Sequence, residues 1–317
     1  MQSNNPVLSV IVPTFNAERY LPITLSSIRK QSLRSLEILV IDGGSKDHTV
    51  DIAIEAGCKV IQAETDFGYG DAFIKGLKHS KAKYVIQCCA SDGFVNSDWM
   101  KTAVEYLESD DDISLVWGYP QTVDENDKIV QISYMKWFEG FKAPDKERFI
   151  YFWLWYGMNL PEGNFVVRKH VLEKCFFSER LLDTPTSQQE IEPWLNFLNN
   201  FHQQGYIPAF IPMVANFGRI HADSVTDKYA ASGQSKKHVQ NYTMRRIQLR
   251  RAIFINPSKY KYRDGKDKIL DLKFRRLDYI YESFAWCRRL SKIGVKPTLQ
   301  SRIRNSIKLK LNMLLDS

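Results

Sequence analysis

Residues 37–49 decide the fold, and they read Glu-Ile-Leu-Val-Ile-Asp-Gly-Gly-Ser-Lys-Asp-His-Thr. The segment begins with a short, mostly apolar run and then breaks into an acidic turn that contains two glycines. Such a run is typical of a strand that is buried on both faces of a parallel sheet. Either Ser45 or Asp47 is a suitable N-cap for a following helix. The segment therefore predicts a strand, a polar turn and a helix.

Two further apolar runs have the same design. Residues 7–12 read Val-Leu-Ser-Val-Ile-Val and stop at a Pro-Thr-Phe-Asn turn, and residues 84–89 read Tyr-Val-Ile-Gln-Cys-Cys and stop at Ala-Ser-Asp-Gly. Helical patterns separate the three runs, as in βαβ units. Ligands of open α/β sheets bind outside the carboxyl ends of the strands. We therefore expect Asn16, Asp42 and Asp92 to point into one crevice. The turns lack the G-x-G-x-x-G pattern, which argues against a dehydrogenase.

This ordered series of motifs resembles the family 2 inverting glycosyltransferases of the GT-A fold. The segments that carry the resemblance are residues 13–21, 27–28, 31, 42–49, 66–72, 75–77 and 91–93, followed by weaker matches at 163–169, 189–195 and 219–226. The series is specific as a whole, although each piece alone is a weak signal. The resemblance covers residues 7–226 and implies an α/β, Rossmann-like fold with a mainly parallel central sheet.

The distribution of charge predicts where this domain ends. From residue 234 onward the chain has 22 Lys and Arg against 6 Asp and Glu, whereas residues 1–233 have 22 against 30. We therefore predict a GT-A domain over 1–232, with a nucleotide-binding half (7–120) and an acceptor half (121–232). A basic helical extension is predicted over 233–317.

The end of this extension has the pattern of a basic amphipathic helix. Apolar residues recur at three- and four-residue intervals from Ser301, with arginines and lysines between them. Such a helix can lie on an anionic membrane surface, or it can pack its apolar side on the catalytic domain. Nucleic acid is not an expected partner, because the basic residues are not accompanied by a reading motif.

The expected location is the cytoplasm, with peripheral contact to the inner face of the plasma membrane through residues 234–317. Residues 1–6 are polar, which is unlike a secretory signal. No apolar stretch reaches the ~18 residues that a membrane span needs. The five cysteines have no metal-binding spacing, and a reducing compartment suits them.

The resemblance implies a binding site for the nucleotide of a sugar donor. Asp42 would accept a hydrogen bond from the ring N–H of uracil or thymine, Pro13 and Thr14 would contact the base through their backbone, and Glu18 would contact the ribose. The implied nucleotide-binding set also includes Asn16, Gly44, Ser45, Asp71, Lys75, Ser91 and Asp92. Structural roles remain open for two of these residues. Asp42 suits an Asx turn, and Glu18 suits the first turn of a helix.

The resemblance also implies a divalent cation, Mn²⁺ or Mg²⁺, at Asp92 and His221. Family members carry two adjacent acids where this chain has Asp92 and Gly93. A single carboxylate can still hold such a cation together with phosphate oxygens and water. We therefore expect weak or partial metal dependence, and we expect that Gly93→Asp does not abolish activity. A structural role for His221 remains an alternative.

The general base is expected within residues 189–194, which read Gln-Glu-Ile-Glu-Pro-Trp. Glu190 falls where the family has its catalytic acid, and Glu192 is the substitute two residues further on. A carboxylate can take the proton of an acceptor hydroxyl while the sugar is attacked from the opposite face, which inverts the anomeric centre. The alternative is an acidic helix N-terminus before an apolar face. Asp183 is the next acid to consider.

Ten aromatic residues lie between Tyr134 and Tyr156. Aromatic rings stack on the apolar faces of sugars and also fill protein cores. An acceptor site, a surface for homo-oligomers and core packing therefore all remain open for this cluster.

Taken together, these patterns predict an inverting glycosyltransferase. It would move a hexosyl or hexosaminyl unit from a UDP- or dTDP-sugar to a hydroxyl of a glycan or lipid-linked glycan. The expected process is cell-surface polysaccharide biosynthesis. The alternatives are a catalytically degenerate sugar-nucleotide-binding subunit and a nucleotidyltransferase. The latter is disfavoured because no Gly-rich loop with a catalytic lysine follows the first strand.

Overall fold

The computed structural model describes residues 5–62, 69–132, 163–176, 197, 201, 206–222, 224, 261–263 and 269–271. The chain divides into two compact units, of which the first comprises residues 1–149, 158–197 and 207–221, and the second comprises 150–157, 198–206 and 222–317. Nearly all described residues belong to the first unit. This unit contains the predicted strand ends.

The first unit alternates strands and helices along its N-terminal half. Its described strands are β1 (Leu8–Thr14), β2 (Leu36–Asp42), β3 (Lys59–Gln62), β4 (Tyr84–Gln87), β5 (Gly93–Phe94), β6 (Ile113–Val123), β7 (Ile129–Ile132), β8 (Phe165–Arg168) and β9 (Ile207–Arg219). Its described helices are α1 (Leu21–Arg29), α2 (Thr49–Glu55), α3 (Tyr69–His79), α4 (Trp99–Ser109) and α5 (Lys169–Phe176).

These strands form one nine-stranded sheet in the order β3-β2-β1-β4-β8-β6-β9-β5, with β7 paired to β6. Strands β1 to β4 are parallel to one another, and β6 is parallel to β9, whereas β5, β7 and β8 run antiparallel to their neighbours. The three apolar runs of the sequence are β1, β2 and β4. The predicted α/β class and the parallel pairing of these strands are therefore confirmed.

The central strands are buried on both faces, as their continuous apolar sequences require. One face carries Val10 and Ile86 and packs against α1 and α4. The other face packs against α3, which approaches most closely at Gly76. A Cβ at that position would lie 2.4 Å from Ile11 Cγ2, so only glycine allows this approach. Helices on both faces leave the carboxyl edge of the strands as the place for a site.

Helix α2 begins later than the sequence suggests. Its N-cap is His48, not Ser45 or Asp47, and its first residue is Thr49. The hydroxyl of Ser45 bonds to Asp42 instead. Asp47 still serves the helix start, because its Oδ1 accepts the Thr49 N–H at 3.0 Å.

In the second unit the structure describes two short strands, β10 (Lys261–Arg263) and β11 (Ile269–Asp271), which pair antiparallel. The predicted extension over 233–317 is therefore not helical throughout. Tyr262 and Ile269 in these strands favour extended backbone. Among the residues described, no helix has the length and apolar character needed to cross a membrane.

Candidate functional site

The carboxylate of Asp42 organises the ends of β1 and β2. Thr14 and Asp42 are partners across these strands. The Thr14 hydroxyl donates to Asp42 Oδ1 at 3.3 Å, and the Ser45 hydroxyl donates to the same oxygen. The backbone N–H groups of Gly44 and Ser45 donate to Oδ2 at 3.0 and 2.9 Å. These four bonds fill the acceptor positions that a carboxylate offers, and Asp42 is fully buried.

This arrangement is an Asx turn, which is the structural role that the sequence also allows for Asp42. The φ of Gly44 is 90°, a conformation that glycine adopts without strain. A turn role does not remove Asp42 from the edge of the sheet. It does mean that a nucleobase N–H can bond to this carboxylate only by replacing one of its internal donors.

Asn16 and Glu18 join the loop after β1 to the loop after β2. Asn16 Oδ1 accepts the Lys46 N–H at 2.8 Å, and the Asn16 N–H donates to the Ser45 hydroxyl at 2.8 Å. Glu18 Oε2 accepts the His48 N–H at 3.0 Å. The glutamate thus supports the start of α2 through one oxygen, which is a structural role beside its predicted contact with a ribose. Both loops are held together at the rim of the crevice.

Asp71 and Lys75 lie one turn apart on α3 and form an ion pair of 2.7 Å between Oδ2 and Nζ. Both side chains are about 30% exposed. The pair therefore keeps a partly exposed cation and anion beside each other near the N-terminal end of the helix.

Ser91 and Asp92 follow β4 and are fixed by α1. The Thr24 hydroxyl lies 2.6 Å from the carbonyl oxygen of Asp92 and 3.0 Å from that of Ala90. Asp92 Oδ1 accepts the backbone N–H of Arg219 at 3.1 Å, and the Ser91 hydroxyl lies 3.5 Å from the same oxygen. Burial raises the pKa of Asp92 to about 6, although its hydrogen bonds and the charge of Arg219 favour the ionised form.

His221 lies two residues beyond the end of β9, and its ring packs on Tyr20 with 4.8 Å between centroids. Since Arg219 bonds to Asp92, the end of β9 brings both predicted metal ligands to one side of the site. Sequence reasoning quoted Arg219 as part of a weak motif but assigned it no role. The signal that could have singled it out is an arginine two residues before the histidine at the end of a strand.

Gly93 occupies the position at which family members have a second acid, and its surroundings are closely packed. It pairs with Phe217 across β5 and β9. A Cβ on Gly93 would lie 2.6 Å from Phe217 Cζ and 2.7 Å from Ser27 Oγ, distances that real Cβ atoms essentially never show. A side chain at this position would therefore require Phe217 or Ser27 to shift. The space of the missing side chain is occupied by an aromatic ring.

The donor set suits a cation shared with a substrate. Within the described part of the chain, no group of three or more His, Cys, Asp or Glu residues is placed to hold a metal ion. Asp92 supplies one carboxylate at the strand edge. Mg²⁺ is commonly held by one or two carboxylates together with substrate phosphates and water. The residues present fit that mode of binding, and they do not form a complete protein site.

Several predicted features lie outside the described residues. They are the catalytic candidates Glu190 and Glu192, the alternative base Asp183, the aromatic cluster from Tyr134 to Tyr156, and the amphipathic stretch from Ser301. Their roles remain predictions from the sequence.

Parallel strands with polar residues at their carboxyl ends define an open α/β protein whose candidate site lies at that edge of the sheet. Residues 9–176 match the model of the family described as glycosyl transferase family 2. Since the match covers more than half of the chain, the protein belongs to this family.

Curated relatives agree with this assignment. One is an uncharacterized glycosyltransferase of Haemophilus influenzae, 33% identical over 129 residues, which are 39% of this chain and 40% of the relative. Another is the PGL/p-HBAD biosynthesis glycosyltransferase of Mycobacterium tuberculosis, 30% identical over 118 residues, which are 36% of this chain and 46% of the relative. The chain thus spans less than half the length of these relatives.

Solved structures share the fold. S. aureus TarS 1-349 in complex with UDP-GlcNAc has a TM-score of 0.53 and 16% identity, covering 98% of this chain and 81% of that chain. The mannosyltransferase PcManGT from Pyrobaculum calidifontis, in complex with GDP-Man and Mn²⁺, has a TM-score of 0.52 and 16% identity, covering 99% and 88%. At this identity the likeness shows the GT-A fold alone.

Proposed function

We propose that this glycosyltransferase transfers a sugar from a UDP- or dTDP-sugar to a hydroxyl of a glycan or lipid-linked glycan, with inversion at the anomeric carbon. One observation carries the proposal. In a chain of this family, the carboxylate of Asp42 at the end of β2 and that of Asp92 in the turn after β4 both lie at the carboxyl edge of parallel strands.

The nucleobase would bind at the Asp42 end. Asp42 would accept the ring N–H of uracil or thymine in place of one of its present donors. Phe15 directly follows Thr14, and its side chain is 53% exposed although it is large and apolar. An exposed aromatic ring at this rim suits stacking on a nucleobase. Sequence reasoning gave Phe15 no role, and only its exposure draws attention to it.

The diphosphate would bind at the Asp92 end. Asp92 and His221 would hold a divalent cation, which when bound neutralises the charge of the leaving diphosphate. The crystallised mannosyltransferase with GDP-Man and Mn²⁺ supports a cation in this fold, and the TarS complexes with UDP and UDP-GlcNAc support a nucleotide-sugar donor. Asp92 must be ionised to contribute a negative ligand, and its raised pKa of about 6 predicts weaker cation binding in acid.

Glu190 is proposed as the general base, and Glu192 is its substitute. A carboxylate that removes the acceptor proton as the hydroxyl attacks C1 completes the transfer in one displacement. This assignment rests on the sequence resemblance.

The basic extension is proposed to bring the enzyme to an anionic membrane surface, where a lipid-linked acceptor would be presented. The net charge of residues 234–317 supports this, because clustered lysines and arginines are attracted to anionic lipids. The proposed location is accordingly the cytoplasmic face of the plasma membrane.

A thermal-shift screen with UDP, dTDP, GDP and CMP tests the proposal. A ligand that binds only the folded state raises the unfolding temperature, and we expect UDP or dTDP to give the largest rise. The matching nucleotide-sugar should then be hydrolysed slowly without acceptor.

The absence of a second acid at Gly93 favours one alternative, a subunit that binds nucleotide-sugars without catalysis. Binding of UDP with no hydrolysis and no transfer to any acceptor would select that alternative. A response to GDP alone would overturn the choice of nucleotide.

A further inference from the structure

The side chain of Arg219 is completely buried, yet it carries a permanent charge. Its Nε donates to the carbonyl oxygen of Ser91 at 3.2 Å. Its Nη1 donates to the carbonyl oxygen of Asp124 at 2.9 Å, and its Nη2 bonds to the Asp127 carboxylate. The backbone N–H of the same residue donates to Asp92 Oδ1 at 3.1 Å. Arg219 therefore fixes both the backbone before Asp92 and the carboxylate itself.

Aromatic rings confine the guanidinium. It lies over the ring of Tyr20 at 5.0 Å and over the ring of Phe217 at 5.5 Å. Tyr20 in turn contacts His221. A planar guanidinium matches this combination of stacked rings and in-plane acceptors, and a lysine ammonium does not. The position of this side chain is thus determined from several directions.

The turn between β6 and β7, residues 124–128, presents the acceptors for Arg219. Asp124 Oδ1 accepts the Lys128 N–H at 3.0 Å, which closes the turn. Asp127 has a φ of 63°, a left-handed conformation that Asp and Asn tolerate. The same turn makes a second contact through the ion pair of Glu125 with Arg19. Its Oε2 and the arginine Nη2 are 3.0 Å apart, and both side chains are exposed. The turn is therefore a rigid support on the outside of the site.

From these contacts we infer that Arg219 is a positioning residue for Asp92, and that the turn 124–128 acts on the reaction through Arg219. The inference deepens the proposed function, since it assigns a support to the end of the site that would bind the diphosphate. A fixed carboxylate matters because a displacement of about 1 Å in a catalytic site can lower the rate about 100-fold. The side chain of Asp127 is 63% exposed and belongs to a surface turn. A substitution of Asp127 that changes turnover would therefore have to act through Arg219.

Asp127→Asn is the variant that tests the inference. It keeps an acceptor oxygen and the left-handed backbone but removes the charge that faces the guanidinium. Glu125→Gln is the matched control on the same turn, since it removes the partner of Arg19 only. Arg219→Lys keeps the charge and loses the planar guanidinium geometry.

Three measurements are made on the full chain: urea unfolding, steady-state hydrolysis of UDP-GlcNAc, UDP-glucose and GDP-mannose with Mn²⁺, and amide hydrogen exchange over residues 91–94 and 217–221. We expect Asp127→Asn to lower kcat about 10-fold and Arg219→Lys about 100-fold, with KM changed less than about threefold. Amide hydrogen exchange in residues 91–94 and 217–221 should be faster in Asp127→Asn than in Glu125→Gln.

A merely structural role predicts lower stability with an unchanged kcat per folded enzyme. Equal kcat and equal exchange in Asp127→Asn and Glu125→Gln would overturn the inference. If the wild-type protein neither binds UDP nor hydrolyses any of the three donors, the proposed function fails. The exchange comparison then still decides whether Arg219 and the turn position Asp92.

Discussion

Replacing Gly93 by alanine tests the close packing that occupies the place of a second acid. The added Cβ would lie 2.6 Å from Phe217 Cζ and 2.7 Å from Ser27 Oγ. Overpacking of this kind typically costs about 1–3 kcal/mol. The gain from removing a strand glycine offsets roughly 0.5–1 kcal/mol of that. We therefore expect Gly93→Ala to lower the free energy of unfolding by up to about 2.5 kcal/mol, with a cost above zero because both contacts are shorter than 3.0 Å.

The control is Gly218→Ala in the adjacent strand. A Cβ there would have Asp92 Oδ1 as its nearest neighbour at 4.0 Å, which is ordinary contact. This variant should be as stable as the wild type or slightly more stable. Both are measured by urea unfolding, with the slope of the transition compared to confirm that the unfolded states are alike.

A double-mutant cycle identifies which neighbouring side chain causes the loss of stability in Gly93→Ala. In a Phe217→Ala background the ring is absent, so the cost of Gly93→Ala should fall by at least half. The hydroxyl of Ser27 still lies too close to the added Cβ, so part of the loss of stability should remain. A Gly93→Ala protein as stable as the wild type would refute the packing argument. So would a cost that Phe217→Ala leaves unchanged.

Four further outcomes are expected. Glu190→Gln should lower kcat by roughly 10²–10⁴ with nearly unchanged donor affinity, while Glu192→Gln keeps most activity; full turnover in both variants would place the base elsewhere. Asp42→Ala should weaken UDP binding by about 1–3 kcal/mol in calorimetry, and an unchanged affinity would reject its contact with the base. Asp92→Asn, studied without metal, should raise the unfolding temperature at pH 7, and the gain should shrink toward pH 4. The folded protein holds the Asp92 proton up to a pKa of about 6, whereas the carboxyl in the unfolded chain has its ordinary pKa of 3.8. Wild-type stability therefore falls as pH rises between these two values. Deleting the chain from Ser301 should leave UDP binding intact and reduce salt-sensitive binding to anionic vesicles; an unfolded product would show that the tail packs on the protein.

Much of the fold could be predicted because it is encoded locally. Three continuous apolar runs with polar turns between helical patterns are enough to define buried parallel strands, and the carboxyl ends of such strands meet at one edge. Asp42 and Asp92 were assigned to that edge from the sequence, and the structure places them there. The mixed pairing of β5, β7 and β8 was not predicted, since it depends on long-range contacts that periodicity does not encode.

The site itself depends on those long-range contacts. Asp42 was recognised, but the donation of the Thr14 hydroxyl from a neighbouring strand is a matter of register between β1 and β2. The close packing at Gly93 could not be predicted, because the ring of Phe217 reaches it only through the pairing of β5 with β9. Spacing along the chain carries no information about such a contact.

By itself the sequence determined the class of fold, the family and the strand ends at which a site is proposed, because each follows from short motifs along the chain. Only the tertiary structure decided what surrounds those residues. Arg219 and Asp92 are 127 positions apart, and their hydrogen bond exists because β9 returns to the carboxyl edge of the sheet. The packing of a buried charge depends on every segment that meets it, and those segments are brought together only when the sheet has formed.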